Sequence, residues 1–206
     1  RAAASNAGTD HRLGPNEAPP AIISIYMGDQ VGEIVDAIVN GVPFDELPCA
    51  KVEPLDLGVS TLPVIPKDPT DRNRTSPFAF TGNRFEFRMV ASSVSIGDAN
   101  TVMNSMMAEA FNKACDVLEG AEDFEKAAVD YIYKIMKENK DIVFNGNGYS
   151  DEWVEEAARR GLPNVKSVVD AIPAYVSDST VEMFEKLGVM TRRELEARKE
   201  IKLDEY

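Results

Sequence analysis

Four arginines and one glutamate gather within eighteen residues of a strongly acidic chain. They stand in Asp71-Arg72-Asn73-Arg74-Thr75-Ser76 and in Arg84-Phe85-Glu86-Phe87-Arg88. The chain has 206 residues, 22 basic and 35 acidic, for a formal net charge of −13. A basic island in so negative a molecule suits a small anion rather than a nucleic-acid backbone, which would meet the whole repulsive field. Strand periodicity sharpens the second segment. Side chains alternate across a strand, so Arg84, Glu86 and Arg88 share one face and Phe85, Phe87 and Met89 the other. The apolar face is expected to bury and fix the strand. The charged face then presents cation, carboxylate and cation about 7 Å apart per step. Such a row can hold a metal ion and phosphate oxygens side by side; it also suits a solvated ladder of weak ion pairs.

A second constellation lies upstream, in His11-Arg12-Leu13-Gly14-Pro15-Asn16-Glu17-Ala18-Pro19-Pro20. Its prolines and glycine exclude a helix or a central strand, and loops carrying charge on a rigid scaffold are frequent places for chemistry.

Taken together, these segments resemble the glutamine synthetase family, and its large type III form in particular. The shorter types share a loop of the form Arg-Leu-x-Pro-Gly-x-Glu-Ala-Pro, then Arg-Asn-Arg-Ser, then Arg-Ile-Glu-x-Arg. Here these read Arg12-Leu13-Gly14-Pro15-Asn16-Glu17-Ala18-Pro19, Arg72-Asn73-Arg74-Thr75 and Arg84-Phe85-Glu86-Phe87-Arg88. The motifs cover residues 1 to about 110, and the acidic helical tail is similar to the type III extension. The resemblance implies ATP-dependent ligation of ammonia to L-glutamate through a γ-glutamyl phosphate, with Mg²⁺ or Mn²⁺ as cofactor. It implies that Glu86 is a metal ligand, that Arg12 and Arg88 bind substrate, and that Arg74 and Arg84 contact ATP. Arg74 and Glu17 would be the catalytic residues, Glu17 taking a proton from ammonium on a mobile flap. His11 is expected to have a structural or supporting role. Two departures stand out: the Arg12-to-Glu17 spacing is one residue shorter than in the type I pattern, and Ala79 replaces a type I arginine. The other metal carboxylates and the metal histidine are implied to lie outside these 206 residues, so the isolated chain is expected to be inactive. A homo-oligomer, a dodecamer by family, is implied. Another ligase or guanidino kinase of the same superfamily, or a non-catalytic module with acidic helices, remains an alternative.

The elements that must position these residues follow from periodicity. The expected fold is α+β: the antiparallel-sheet part of such a catalytic domain in residues 1–119, then an all-helical extension in 120–206. Ala21 to Met27 reads as a strand, despite Ser24 in its middle. Val31, Ile34, Val35 and Ile38 fall at helical spacing, closed by Asn40-Gly41. Residues 28–70 read as a surface insertion, with a short strand at Val59 to Ile65. Strands resume at Phe78 to Phe80 and Arg84 to Val90. A helix capped by Asp98 or Asn100 should bury Val102, Met103, Met106, Met107, Ala110, Phe111, Ala114 and Leu118. The next, Glu122 to Asn139, should turn Phe124, Ala127, Tyr131, Ile132 and Ile135 inward. Shorter helices are expected at Ser150 to Arg160, Val165 to Ile172 and Ser179 to Leu187. Thr191 with Glu194, and Ser179 with Glu182, have capping-box spacing. From Asp116 onward the chain carries 21 acidic and 13 basic residues, most simply a solvated face. No apolar run approaches a membrane span. Cys49 and Cys115 fit a reducing cytoplasm. The opening Arg1-Ala2-Ala3, without Met, leads us to expect a piece of a longer protein.

Overall fold

A computed structural model describes residues 3–4, 20–49, 54–55, 58–59, 61, 63, 65–66, 76–90 and 95–205. The expected first strand is only two residues long, β1 (Ile25–Tyr26), with Ile22 forming an isolated bridge to Asn164. The reason is its partners. Ile23 N–H donates to Pro163 O, Val165 N–H to Ala21 O and Phe144 N–H to Ile25 O. The segment therefore threads between two loops of the C-terminal helical region instead of running in one ladder. Helix α1 (Gly28–Val39) follows, burying Val35 and Ile38, and ends where expected: Gly41 takes φ +80°, open to glycine without strain.

Beyond α1 the chain makes a 3₁₀ turn at Phe44–Glu46 and two antiparallel pieces, β2 (Pro54–Leu55) and β3 (Ile65–Pro66). Among the described residues of the strand expected at Val59 to Ile65, the last, Ile65, is paired. Proline lacks the N–H a ladder needs, and prolines at 54, 63 and 66 keep the pairing short.

Strands β4 (Phe78–Phe80) and β5 (Phe85–Phe87) form an antiparallel hairpin with Ala79 opposite Glu86, and β1 joins β4 in parallel. The hairpin turns through Gly82-Asn83, Gly82 at φ +90° and Thr81 N–H donating to Arg84 O. Ring pairs Phe78–Phe87 and Phe80–Phe85, 4.9 and 5.3 Å between centroids, bind the two strands on the other face.

Helix α2 (Gly97–Leu118) starts without Asp98 or Asn100 as cap. Ser95 Oγ accepts from Gly97 N–H, while the Asp98 carboxylate is drawn instead to Arg198 and Lys202. Its stripe is buried only near the start, at Ala99 and Val102; Met107 and Phe111 are exposed, Phe111 at 62%. Helix α3 (Phe124–Asn139), capped by Asp123, has no buried residue, and Phe124 and Ile132 face out rather than in. Helix α3 packs against both α2 and α1, and the carbonyl of Val42, just after α1, accepts from the Tyr133 hydroxyl.

Helix α4 (Asp151–Arg159) begins on the Ser150 cap and stops at Gly161, as its sequence indicates. The next helix is shorter than expected: α5 (Val168–Ala171) passes into a 3₁₀ turn at Ile172–Val176. The α-helix ends at Ala171, ahead of Pro173 as expected, and the chain goes on as a 3₁₀ turn, where a proline in the first turn loses no hydrogen bond. In α6 (Asp178–Lys186) the chain enters the helix from Ser177 rather than Ser179. Helix α7 (Arg192–Glu205) carries the expected capping box: Thr191 N–H donates to Glu194 Oε2, and Glu194 N–H to Thr191 Oγ1.

Among the described residues two buried clusters result. One joins Met89 and Val102 to Ala171, Tyr175, Val181, Met183, Phe184 and Leu195, with Phe87 packed against it. The other joins Ile22, Trp153 and Ala157, the Trp153 ring stacked on Phe144 at 3.6 Å. The fold is α+β, and sheet and helices share the first core. Among the described residues, no helix is long and apolar enough to cross a membrane.

Candidate functional site

Alternation places Arg84, Glu86 and Arg88 together on one face of β5, as their spacing predicts. Arg84 Nη2 lies 3.2 Å from Glu86 Oε1, and Arg88 donates from Nε and Nη2 to Glu86 Oε2 at 3.2 and 3.1 Å. The two arms differ. The Arg84 side chain is 72% exposed, so its pair is screened by water and holds the strand weakly; Arg88 is only 14% exposed. Arg88 is also fixed through its backbone, where its N–H donates to Pro77 O at 2.8 Å. The hydrogen bonds from Arg88, then those from Arg84, hold the Glu86 carboxyl below the usual carboxylate range. The expected apolar face is uneven: Met89 is buried and Phe87 packs on the core, but Phe85 is half-exposed at the hairpin end.

Across the ladder from Glu86 stands Ala79, completely buried. Ala79 brings no charge to Glu86, and among the described residues the arginines that pair with Glu86 are Arg84 and Arg88 of its own segment. Among the described residues this face brings together two guanidinium groups and the Glu86 carboxylate, and planar guanidinium forks suit the oxygens of an anion.

Arg12, Glu17, Arg74 and His11 lie outside the described residues. The segment that follows Arg74 is anchored nonetheless. Ser76 Oγ donates to Ser24 O at 2.9 Å and lies 3.3 Å from Ser24 Oγ, both serines being buried. This pair was not singled out from the sequence, although a signal was present: Ser24 interrupts an otherwise apolar strand. Equally unforeseen is the clamp at Asp98, whose two oxygens hold Arg198 at 3.2 Å and Lys202 at 2.6 Å.

A hard divalent cation takes about six oxygen ligands, with several from carboxylates or water. Among the described residues, Glu86 is the carboxylate that this face offers, and both its oxygens accept from arginine. Among the described residues no three of His, Cys, Asp and Glu converge. These residues alone do not hold a metal ion.

Comparison with known proteins supplies the context. The family model described as "Glutamine synthetase C-terminal domain" matches residues 127–206. The chain is 41% identical over 208 residues to a glutamine synthetase of Butyrivibrio fibrisolvens, and 40% over 210 residues to one of Bacteroides fragilis (strain YCH46). It is 40% identical over 213 residues to a type-3 glutamine synthetase of Dictyostelium discoideum. Each alignment takes in 100% of this chain but only 28 to 29% of the relative, so the chain spans less than a third of their length. Residues 127–206 are thus similar to the glutamine synthetase C-terminal domain, and over its full length the chain is similar to glutamine synthetases.

Proposed function

We propose that this chain supplies part of the site of a glutamate–ammonia ligase. Carboxylate is inert to ammonia at neutral pH, so the γ-carboxylate of glutamate must first take a phosphoryl group from ATP. The γ-glutamyl phosphate then reacts with ammonia; the C–N bond forms as the C–O bond to phosphate breaks, giving glutamine and inorganic phosphate. A bound divalent cation, Mg²⁺ or Mn²⁺, supplies charge compensation on the phosphates.

The chain's own residues bind and orient. Arg88, the shielded arm of the β5 face, meets phosphate or substrate carboxylate with a planar fork, and Arg84 meets the nucleotide from the exposed side. Arg74 contacts ATP phosphate or the glutamyl phosphate, and Arg12 the carboxylate of glutamate. Glu17 takes the proton from ammonium and, on a closing flap, keeps water from the acyl phosphate. Glu86 contributes one carboxylate toward the metal, the remaining donors coming from outside these residues. The assembly is a homo-oligomer, a dodecamer by family. The single observation that carries this reading is the Arg84–Glu86–Arg88 face on a strand that resembles the family's Arg-x-Glu-x-Arg motif.

Replacing Glu86→Ala in the full-length enzyme tests it. Glutamine formation should be abolished and metal dependence weakened, with the assembly intact by size-exclusion chromatography. Near-normal turnover at ordinary Mg²⁺ concentration would overturn the assignment.

A further inference from the structure

We infer that the C-terminal helical region is the backing that positions the charged face of β5, with Met89 as the positioning residue. The inference rests on the function proposed above for that face. Met89 is the next residue after Arg88 and points to the opposite side of the chain, where it is 1% exposed. Its buried cluster is built mainly from the far end of the sequence: Ala171, Tyr175, Val181, Met183, Phe184 and Leu195. Phe87, the other inward residue beside Glu86, packs on the same cluster. Arg88 thus sits between two anchors, Phe87 and Met89, both seated in the helical region.

That region is in turn clamped to the sheet side. Lys202 on α7, its side chain 7% exposed, reaches the Asp98 carboxylate on α2 at 2.6 Å and lies 5.6 Å over the Tyr175 ring. Arg198, one helical turn earlier, takes the other Asp98 oxygen. Lys202 is buried, so separating it from Asp98 would leave its charge uncompensated, and the clamp resists any slide of α7 past α2. Interiors are close-packed and transmit displacement rather than absorb it. Movement of α7, or a void at Met89, therefore becomes movement of the Arg88 guanidinium. Misplacement by about 1 Å from a remote change can lower rate by on the order of a hundredfold.

The test uses the full-length enzyme with Met89→Ala, Met89→Leu and Lys202→Met, and with Ile38→Ala as control. Ile38 is buried in α1 and belongs to neither cluster. Two quantities are read: kcat/KM for ATP, and hydrogen–deuterium exchange in peptides covering residues 78–88. Met89→Ala and Lys202→Met should speed exchange there and lower kcat/KM, the former by roughly a hundredfold. Met89→Leu, which nearly conserves volume, should restore both. Ile38→Ala should lower Tm and leave both unchanged. The inference is overturned if Met89→Ala and Lys202→Met leave exchange at residues 78–88 unaltered, or if Ile38→Ala alters exchange and kcat/KM as Met89→Ala does. If the unaltered enzyme forms no glutamine, the functional proposal fails on its own, and the exchange measurement still decides the positioning role.

Discussion

Glu86 accepts from two arginines with different exposures, and that asymmetry gives each residue of the β5 face a separate part. Arg88, shielded and held through its own backbone, is the fixed element; Arg84, in water, can follow a ligand. In the proposed function the chemistry of proton removal falls to another residue, Glu17. Exchanging Glu17→Gln keeps the size and one acceptor oxygen but removes the charge that attracts ammonium and the base that takes its proton. Loss of a general base typically lowers rate by about a hundred- to ten-thousandfold, so amination should become limiting while phosphoryl transfer is spared. Assays with ammonium and with hydroxylamine, already neutral at pH 7, would show it. Hydroxylamine should restore turnover better, and equal loss with both nucleophiles would make Glu17 a structural flap residue.

Among the elements, α1 is held at its start by a residue more than a hundred positions away. Asn145 Oδ1 accepts from Met27 N–H at 2.9 Å and Gly28 N–H at 3.1 Å, standing in for the side-chain cap that Met27 cannot provide. A Cβ placed on Gly32 would come within 2.4 Å of Asn145 Nδ2. A side-chain end could ordinarily swing away at little cost, but here moving it releases both backbone donors. Gly32→Ala should therefore destabilise the protein by about 1 kcal/mol despite the better helix propensity of alanine, the cost of a lost cap. Asn145→Ala should do much the same, and the double variant should be less than additive because both remove one interaction. Urea unfolding followed by circular dichroism measures all three; additive losses would show that the two residues act independently.

At the scale of the whole molecule, the joint between sheet and helices contains a buried polar group that no described residue satisfies. Tyr175 is fully buried, and its hydroxyl has no hydrogen-bond partner among the described residues. Burial, and then the nearby Asp98 carboxylate, push its pKa up to about 12, against a smaller opposing effect of Arg198. The folded state thus retains a proton that the unfolded chain releases near pH 10. The stability linked to this group is complete below about pH 10 and is lost as pH rises toward about 12. Tyr175→Phe gives up no hydrogen bond, so Tm at pH 7 should be unchanged or slightly higher, and the alkaline fall in Tm should flatten. A Tm series from pH 7 to 11 distinguishes this from a tyrosine that is solvated in the folded state, for which the alkaline slope would not change.

The sequence by itself determined what depends on neighbours a few residues apart. Alternation at Arg84 to Met89 set the charged face, because a strand fixes side-chain direction every two residues. The end of α1 at Asn40-Gly41 and the Thr191–Glu194 box were legible because a helix end is a local hydrogen-bonding problem. Tertiary structure decided everything that needed a distant partner. Asp98 has the composition of a cap, but Lys202 and Arg198 take its carboxylate, and Ser95 does the capping. Phe111 and Phe124 have the spacing of core residues, yet periodicity gives only a face, and the described structure leaves that face exposed. Ser24 reads as a flaw in a strand until Ser76 lies beside it, since a buried hydroxyl is favourable only with a partner that no local pattern reveals.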